Sequence, residues 1–311
     1  MWDTWIHLIQ QPNFQWVMMA CLLLGISSGV MGSFAYLRRY SLIGDVMAHA
    51  TLPGIVIAFM LTGSKSLGWL LLGAAVAAWL SSTCITIITK YSRIKQDAAL
   101  GIVLTSFYGL GIVLLTRVAH SGSGNQSGLD AFLFGKAASL VKEDVMWMGS
   151  IALFVITLTF LFFKELKVIS FDREFATGLG YPVVLIEQMM MWLIVLTVVI
   201  GLQAVGVVLM SALLIIPAVA ARYWTERLDV MVILAGLFGG LSGLLGTFLS
   251  ALTPRMPTGP VIVLMAVGIF VISLLFAPQR GLLMEKLRKL RIKQAYVEER
   301  MERKEARMIE S

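Results

Sequence analysis

Gly32–Gly54 reads GSFAYLRRYSLIGDVMAHATLPG. Two arginines, Arg38 and Arg39, close one apolar run and lead straight into a second that carries an aspartate and a histidine. Asp45 and His49 are four residues apart, so on a helix they project from one face, one turn apart. Ionisable groups are expensive in hydrocarbon, and where they occur in a membrane span they mark a functional site. Pro53 follows His49 by four residues and has no N–H to return to the His49 carbonyl, which predicts a bent helix and a spare backbone oxygen beside the imidazole. A carboxylate, an imidazole and a carbonyl on one face suit a divalent cation.

The surrounding chain has 311 residues, 58% of them hydrophobic and only 14% charged, with mean hydropathy +0.86. Soluble domains average about 45–50% apolar and about 25% charged, so this composition belongs to an integral membrane protein. Nine apolar segments are legible, over 14–37, 44–62, 67–89, 97–116, 146–163, 181–200, 203–221, 229–251 and 260–277. The weak joint is Gly201–Ala204, where one long bent helix or a re-entrant segment in place of two spans would reduce nine to eight. The fold expected is therefore all-α, a polytopic helical membrane protein of eight to nine transmembrane helices, one of them broken and carrying the metal site. The transmembrane domain is read over 1–278 and a charged tail over 279–311. The first apolar run has no basic flank and exceeds signal-peptide length, so it reads as a span. Cys21 and Cys84 both lie in apolar runs without a ligand-spaced neighbour and read as packing residues.

The net charge of +7 suggests nucleic acid until it is located. With the N-terminus outside, all but five of the 25 basic residues fall in inner loops and the tail; the exceptions are Lys65, Arg117, Lys136, Lys142 and Arg255. Membrane topology explains this distribution, with the N-terminus out and the C-terminus in the cytoplasm, and no nucleic-acid partner is called for. Asp45 then stands only six residues past Arg39, near the inner end of its span. A site halfway across requires a broken segment, with Gly44 and Pro53 as the breaks.

The remaining polar features have bland readings as well as sharp ones. Gly236, Gly239, Gly240 and Gly243 are spaced by three and four on one helix, which suits close helix packing; no phosphate-binding G-x-x-x-x-G-K-[ST] loop occurs. His120 adjoins the flexible outer stretch SGSGNQSG and reads as an ordinary loop histidine; residues 131–140 can form a short interfacial helix. The inner loop KELKVISFDREFATGLGYP, Lys164–Pro182, predicts a short helix over Asp172–Gly178 stopped at Gly180. Phe171 and Phe175 share one face of it, while Asp172, Arg173 and Glu174 are polar, so it is either an interfacial helix or a helix that docks into a cytoplasmic partner. Asp97 can cap the start of the fourth segment; Glu187, two turns into the sixth, is a buried acid, a supporting partner of the site or a snorkelling side chain. Asp97, Glu187 and Pro53 are thus candidates for a supporting or pathway role.

One chain offers too few ligands. Asp45 and His49 supply two or three donors, whereas zinc takes about four and hexacoordinate ions about six. Two copies around a two-fold axis supply two carboxylates and two imidazoles, so the site argues for a dimer with the pathway at its interface. Oxygen and nitrogen donors without thiolate suit manganese, iron(II) or zinc.

GSFAYLRRYSLIGDVMAHATLPGI (Gly32–Ile55) resembles the signature of the manganese/zinc/iron class of ABC transporter permeases. DAALGIVLTSFYGLG (Asp97–Gly111), LDAFLFG (Leu129–Gly135), FDREFATGLG (Phe171–Gly180) and VGVVLMSALLIIPAVAA (Val205–Ala221) match in the same order. Tail length and loop wording are closest to manganese permeases of Gram-positive bacteria. The resemblance implies a multi-pass permease of the bacterial plasma membrane that pairs with a second copy or a paralogous permease. It further implies cytoplasmic ATP-binding subunits that hydrolyse ATP, an extracytoplasmic metal-binding protein that delivers the ion, and no enzyme activity in this chain. Asp45 and His49 match the metal-coordinating positions of the family's G-D-x-x-x-H motif, and Phe171–Gly180 matches its cytoplasmic coupling helix. The ion is cargo, manganese first and zinc or iron next, with no permanently bound cofactor. The charged tail lies beyond the family pattern. Two other classes compete. A proton-coupled secondary metal transporter would use Asp45, His49 and Glu187 as a relay. An intramembrane enzyme would need a second catalytic aspartate or an H-E-x-x-H motif, which the chain lacks.

Overall fold

The computed structural model describes residues 12–38, 40, 42–63, 66–120, 135, 140–252 and 256–286. The proposed interfacial helix over 131–140 and most of the 279–311 tail lie outside the described residues. Within them the chain is helical, without a strand. The helices are α1 (Pro12–Leu37), α2 (Ile43–Ala50), α3 (Leu52–Thr62), α4 (Leu67–Tyr91), α5 (Gln96–His120) and α6 (Lys142–Leu161). There follow α7 (Phe163–Phe171), α8 (Arg173–Gly178), α9 (Val183–Val205), α10 (Val207–Trp224), α11 (Leu228–Leu252) and α12 (Thr258–Phe276).

Counting α2 and α3 as one ribbon, 8 of these helices are long and apolar enough to cross a membrane. α10 is a further, shorter apolar helix. Its 18 residues rise about 27 Å, close to the roughly 30 Å of a hydrocarbon core. It begins beside the start of α12, where the Gly259 backbone packs on Val205. It ends where the Trp224 indole N–H donates to Ser273 at 2.9 Å near the end of α12. The reversal between α9 and α10 falls at Gly206, not at Gly201–Ala204 as the sequence suggested. Gly206 has φ +92°, a conformation that glycine alone adopts cheaply, so the turn needs only one residue.

The core is α1 against α11, and the glycines permit it. A Cβ on Gly239 would overlap the Gly25 carbonyl oxygen, and one on Gly243 would overlap that of Cys21. With hydrogens in those places the two backbones touch, the means by which membrane helices gain dispersion contact when lipid competes for every apolar side chain. The outer helices invert the usual pattern. Leu110, Val113, Phe154, Phe160, Leu264 and Ile272 all face outward on α5, α6 and α12. That surface would aggregate in water and suits hydrocarbon.

Charge sorts to one end. Lys167 donates to Asp229 at 2.8 Å, Arg280 to Glu226 at 3.1 Å, and Arg38 and Arg173 both reach Glu187, Arg173 at 3.3 Å. We call this the basic end.

Candidate metal site

α1 stops at Leu37 and the chain doubles back at once: the Tyr40 N–H donates to Ala35 O and the Ile43 N–H to Tyr40 O. Gly32 and Gly44 consequently pack on the same residue, Leu214 of α10. Gly44 is thus not a break. It lies inside α2, where a Cβ would press on the Leu214 side chain at 2.9 Å and the Ser211 Cα at 3.3 Å. The interruption ahead of Pro53 is a single residue, Thr51, whose dihedrals (φ −71°, ψ −24°) remain helical and whose N–H still donates to Met47 O. Pro53 occupies the first turn of α3, where its missing N–H costs least. No unwound stretch is needed to raise Asp45 and His49 into the bundle, because the return at Tyr40 already does so.

His49 lies edge-on to Tyr108, ring centroids 4.8 Å apart at 78°, and Tyr108 is the central residue of the 25-residue α5. The site therefore stands level with the middle of that helix. His49 Nε2 faces Asp45 Oδ1 at 3.4 Å, which is long for a hydrogen bond. It is the spacing of two ligands each about 2.1 Å from one ion at a near-tetrahedral angle. His49 Nδ1 is buried with no hydrogen-bond partner, while the Asp45 side chain keeps 35% of its surface open. The pair is packed against Tyr108 at His49 and open at Asp45.

The other sequence candidates stand elsewhere. Asp97 is exposed in the first turn of α5, eleven residues and so about 16 Å along the axis from the level of Tyr108. Glu187 accepts from both Arg38 and Arg173, and Arg38 donates a further bond to Ile169 O. That acid binds the end of α1 to α7, α8 and α9 instead of joining Asp45 and His49. Among the described residues no three of His, Cys, Asp and Glu gather into a metal-binding cluster, so one chain brings two ligating side chains together and no more. His120 is exposed at the other end of α5, its Nδ1 2.8 Å from Thr116 O.

α8 has the boundaries its sequence signals. Asp172 caps it, accepting from the Phe175 N–H at 2.9 Å. At its end Gly180 has φ +80°, its N–H donates to Thr177 O, and the Tyr181 N–H reaches back to Ala176 O. This is the glycine-terminated double bond pattern that closes a helix C-terminus. Phe175 of α8 and its C-terminal cap Leu179 are exposed at 58% and 56%, and Phe171, the last residue of α7, at 62%, across the extended Asp172; Glu174 is exposed beside them. α7, which precedes α8, is missing from the sequence reading because its lysines and glutamate masked a helix continuing from α6. Tyr108 and the Arg38–Glu187–Arg173 bridge were missed too, since His49 meets Tyr108 across 59 positions and Arg38 meets Glu187 across 149, which leaves no local signal.

A model described as the ABC 3 transport family matches residues 10–277. The chain is 52% identical over 291 residues to the manganese transport system membrane protein MntC of Bacillus subtilis, covering 94% of this chain and 67% of that protein. It is 47% identical over 287 residues to the zinc transport system membrane protein TroC of Treponema pallidum, covering 92% and 96%. Among solved structures, PsaBC from Streptococcus pneumoniae in complex with Fab superimposes with a TM-score of 0.81 at 33% identity, over 92% of this chain and all of that one. With the family model running through all eight candidate spans and α10, and these relatives along nearly the whole chain, the protein belongs to the ABC 3 transport family.

Proposed function

We infer that this chain is the membrane permease of an ATP-driven importer for a divalent transition metal ion, manganese first, zinc or iron next. The observation that carries the reading is the Asp45–His49 pair: a carboxylate and an imidazole at ligand spacing, level with the middle of α5 and open to one side. Relatives named for manganese and zinc transport support the substrate class. The ion is cargo, so the pair should hold it only moderately; a site that never releases does not conduct. The imidazole supplies a borderline nitrogen, the carboxylate a charge, and Tyr108 fixes the ring plane. Completing the coordination falls to a second permease copy or a paralogous chain.

In this reading the basic end is cytoplasmic, as the excess of lysine and arginine there favours, and the C-terminus lies with it in the bacterial plasma membrane. Phe171, Phe175 and Leu179 seat in the cytoplasmic ATP-binding subunits, which hydrolyse ATP; this chain performs no chemistry. An extracytoplasmic metal-binding protein delivers the ion to the opposite end.

The test is metal content by elemental mass spectrometry in cells lacking the gene, complemented with the intact chain or with Asp45→Asn. A manganese deficit repaired only by the intact chain supports ion and site together. A deficit confined to zinc or iron keeps the importer and changes its cargo. Full repair by an Asp45→Asn, His49→Ala double variant overturns the site.

A further inference from the structure

A crevice of about 750 Å³ opens between α4 and α9 on the basic half of the bundle, and the metal pair does not line it. Its two walls change character in the same direction. Along α4 the lining runs from Trp79 through Ser82 and Thr86 to Lys90; along α9 it runs from Trp192 through Gln188 to Glu187. Trp79 and Trp192 stack at the apolar end, centroids 6.0 Å apart and 19° from parallel. They are 42% and 38% exposed, so this end is open at the surface of the bundle. At the other end Arg38 and Arg173 join Lys90. Glu187 is already held by both arginines, which leaves a surplus of positive charge at the mouth.

An apolar slot at the depth of the hydrocarbon, passing through hydroxyls and amides to cations at the boundary, is the negative of an anionic amphiphile. Its volume falls within the range of small-ligand sites, roughly 300–1,000 Å³. Basic pockets between membrane helices recognise acidic headgroups, and tryptophan suits the boundary level because its ring is apolar and its N–H polar. A soluble anion would use the cations but not the tryptophan slot. We propose that the crevice between α4 and α9 binds one anionic phospholipid, its phosphate among Lys90, Arg38 and Arg173 and its acyl chain along Trp79 and Trp192.

The test is native mass spectrometry of the full chain released from detergent, titrated with phosphatidylglycerol or with phosphatidylcholine. The intact chain should retain one phosphatidylglycerol in preference to phosphatidylcholine. Reversing the charge of Lys90 (Lys90→Glu) removes one cation and adds one anion, which should weaken that preference roughly thirtyfold. Trp192→Ala should weaken retention of the same adduct without any change in charge, and it keeps the proposal testable if Lys90→Glu inserts poorly. Lys164→Glu, at the same end but outside the crevice, should bind as the intact chain does. Equal retention of both lipids, or equal loss from Lys164→Glu, overturns the site. Displacement of the adduct by inorganic phosphate to the same extent in the intact chain and in Trp192→Ala assigns the site to a free anion and overturns the lipid.

Discussion

His49 carries the most consequence of any single side chain, because no hydrogen bond at its buried Nδ1 fixes the ring. Tyr108 meets it edge-on at 4.8 Å, and Nδ1 has no hydrogen-bond partner to fix the ring from behind. Ring packing, not a hydrogen bond, therefore sets the direction of Nε2. Tyr108→Phe should leave manganese affinity within about twofold, whereas Tyr108→Ala should lower it about tenfold, the order seen when support of a ligating histidine is lost. Calorimetric titration of the purified variants checks this, and equal affinities for Phe and Ala would remove Tyr108 from the site. Glu187 is the second such residue. Arg38, 14% exposed, relies on it and on Ile169 O, and Arg173 ties the same carboxylate to α8. The bridge thus joins α8, with its exposed Phe175 and Leu179, to the joint that leads directly into Asp45. Glu187→Gln keeps the shape and removes the charge from both arginines. Metal uptake should fall several-fold more than ATP hydrolysis in the reconstituted importer; an unchanged ratio of uptake to hydrolysis would reduce the bridge to a local anchor.

Elements show how far sequence could lead and where it stopped. The eight long spans were legible because lipid demands long apolar runs, and the caps of α8 were legible because Asp172 and Gly180 act within a few residues. The four-residue spacing of Asp45 and His49 was likewise a local signal. Misreading began where geometry depends on distant partners. Gly44 resembled a helix break but is a contact with α10, and the reversal assigned to Gly201–Ala204 belongs to Gly206, whose φ of +92° no composition window reveals. The glycine ladder of α11 lay between these cases, its spacing visible and its partner α1 not. Because a Cβ at Gly239 would overlap the Gly25 carbonyl, backbone must move for any larger residue. Gly239→Leu should destabilise the bundle by about 3 kcal/mol, at the upper end of overpacking costs, while Leu237→Ala on the lipid-facing side of the same helix should cost less than about 1 kcal/mol. Thermal unfolding in detergent separates the two. Similar losses would mean that α1 and α11 are held by their apolar surface at large, not by this crossing.

At the scale of the whole molecule the site is unfinished. Two ligating side chains stand at ion spacing, no third from the described part of the chain reaches them, and divalent transition ions take about four to six donors. Water could fill the remainder, but a hydrated ion would be held weakly and with little selectivity. A second copy about a two-fold axis would supply another carboxylate and imidazole, and the geometry of this chain allows it: Asp45 is open on one side, and Ile57 and Met60 farther along the same ribbon are exposed as well. An isologous contact of that kind places the shared ion on the symmetry axis, where the pathway of a paired permease must run. The expected stoichiometry is one manganese ion per two chains, measured by native mass spectrometry of the purified permease. In a tandem fusion of two copies, His49→Ala in one half should lower affinity by about as much as half of the full double loss in free energy, since each half contributes equally to one ion. One ion per chain, or a fusion that binds normally with a single intact half, would show that each pair acts alone and that the missing ligands are water.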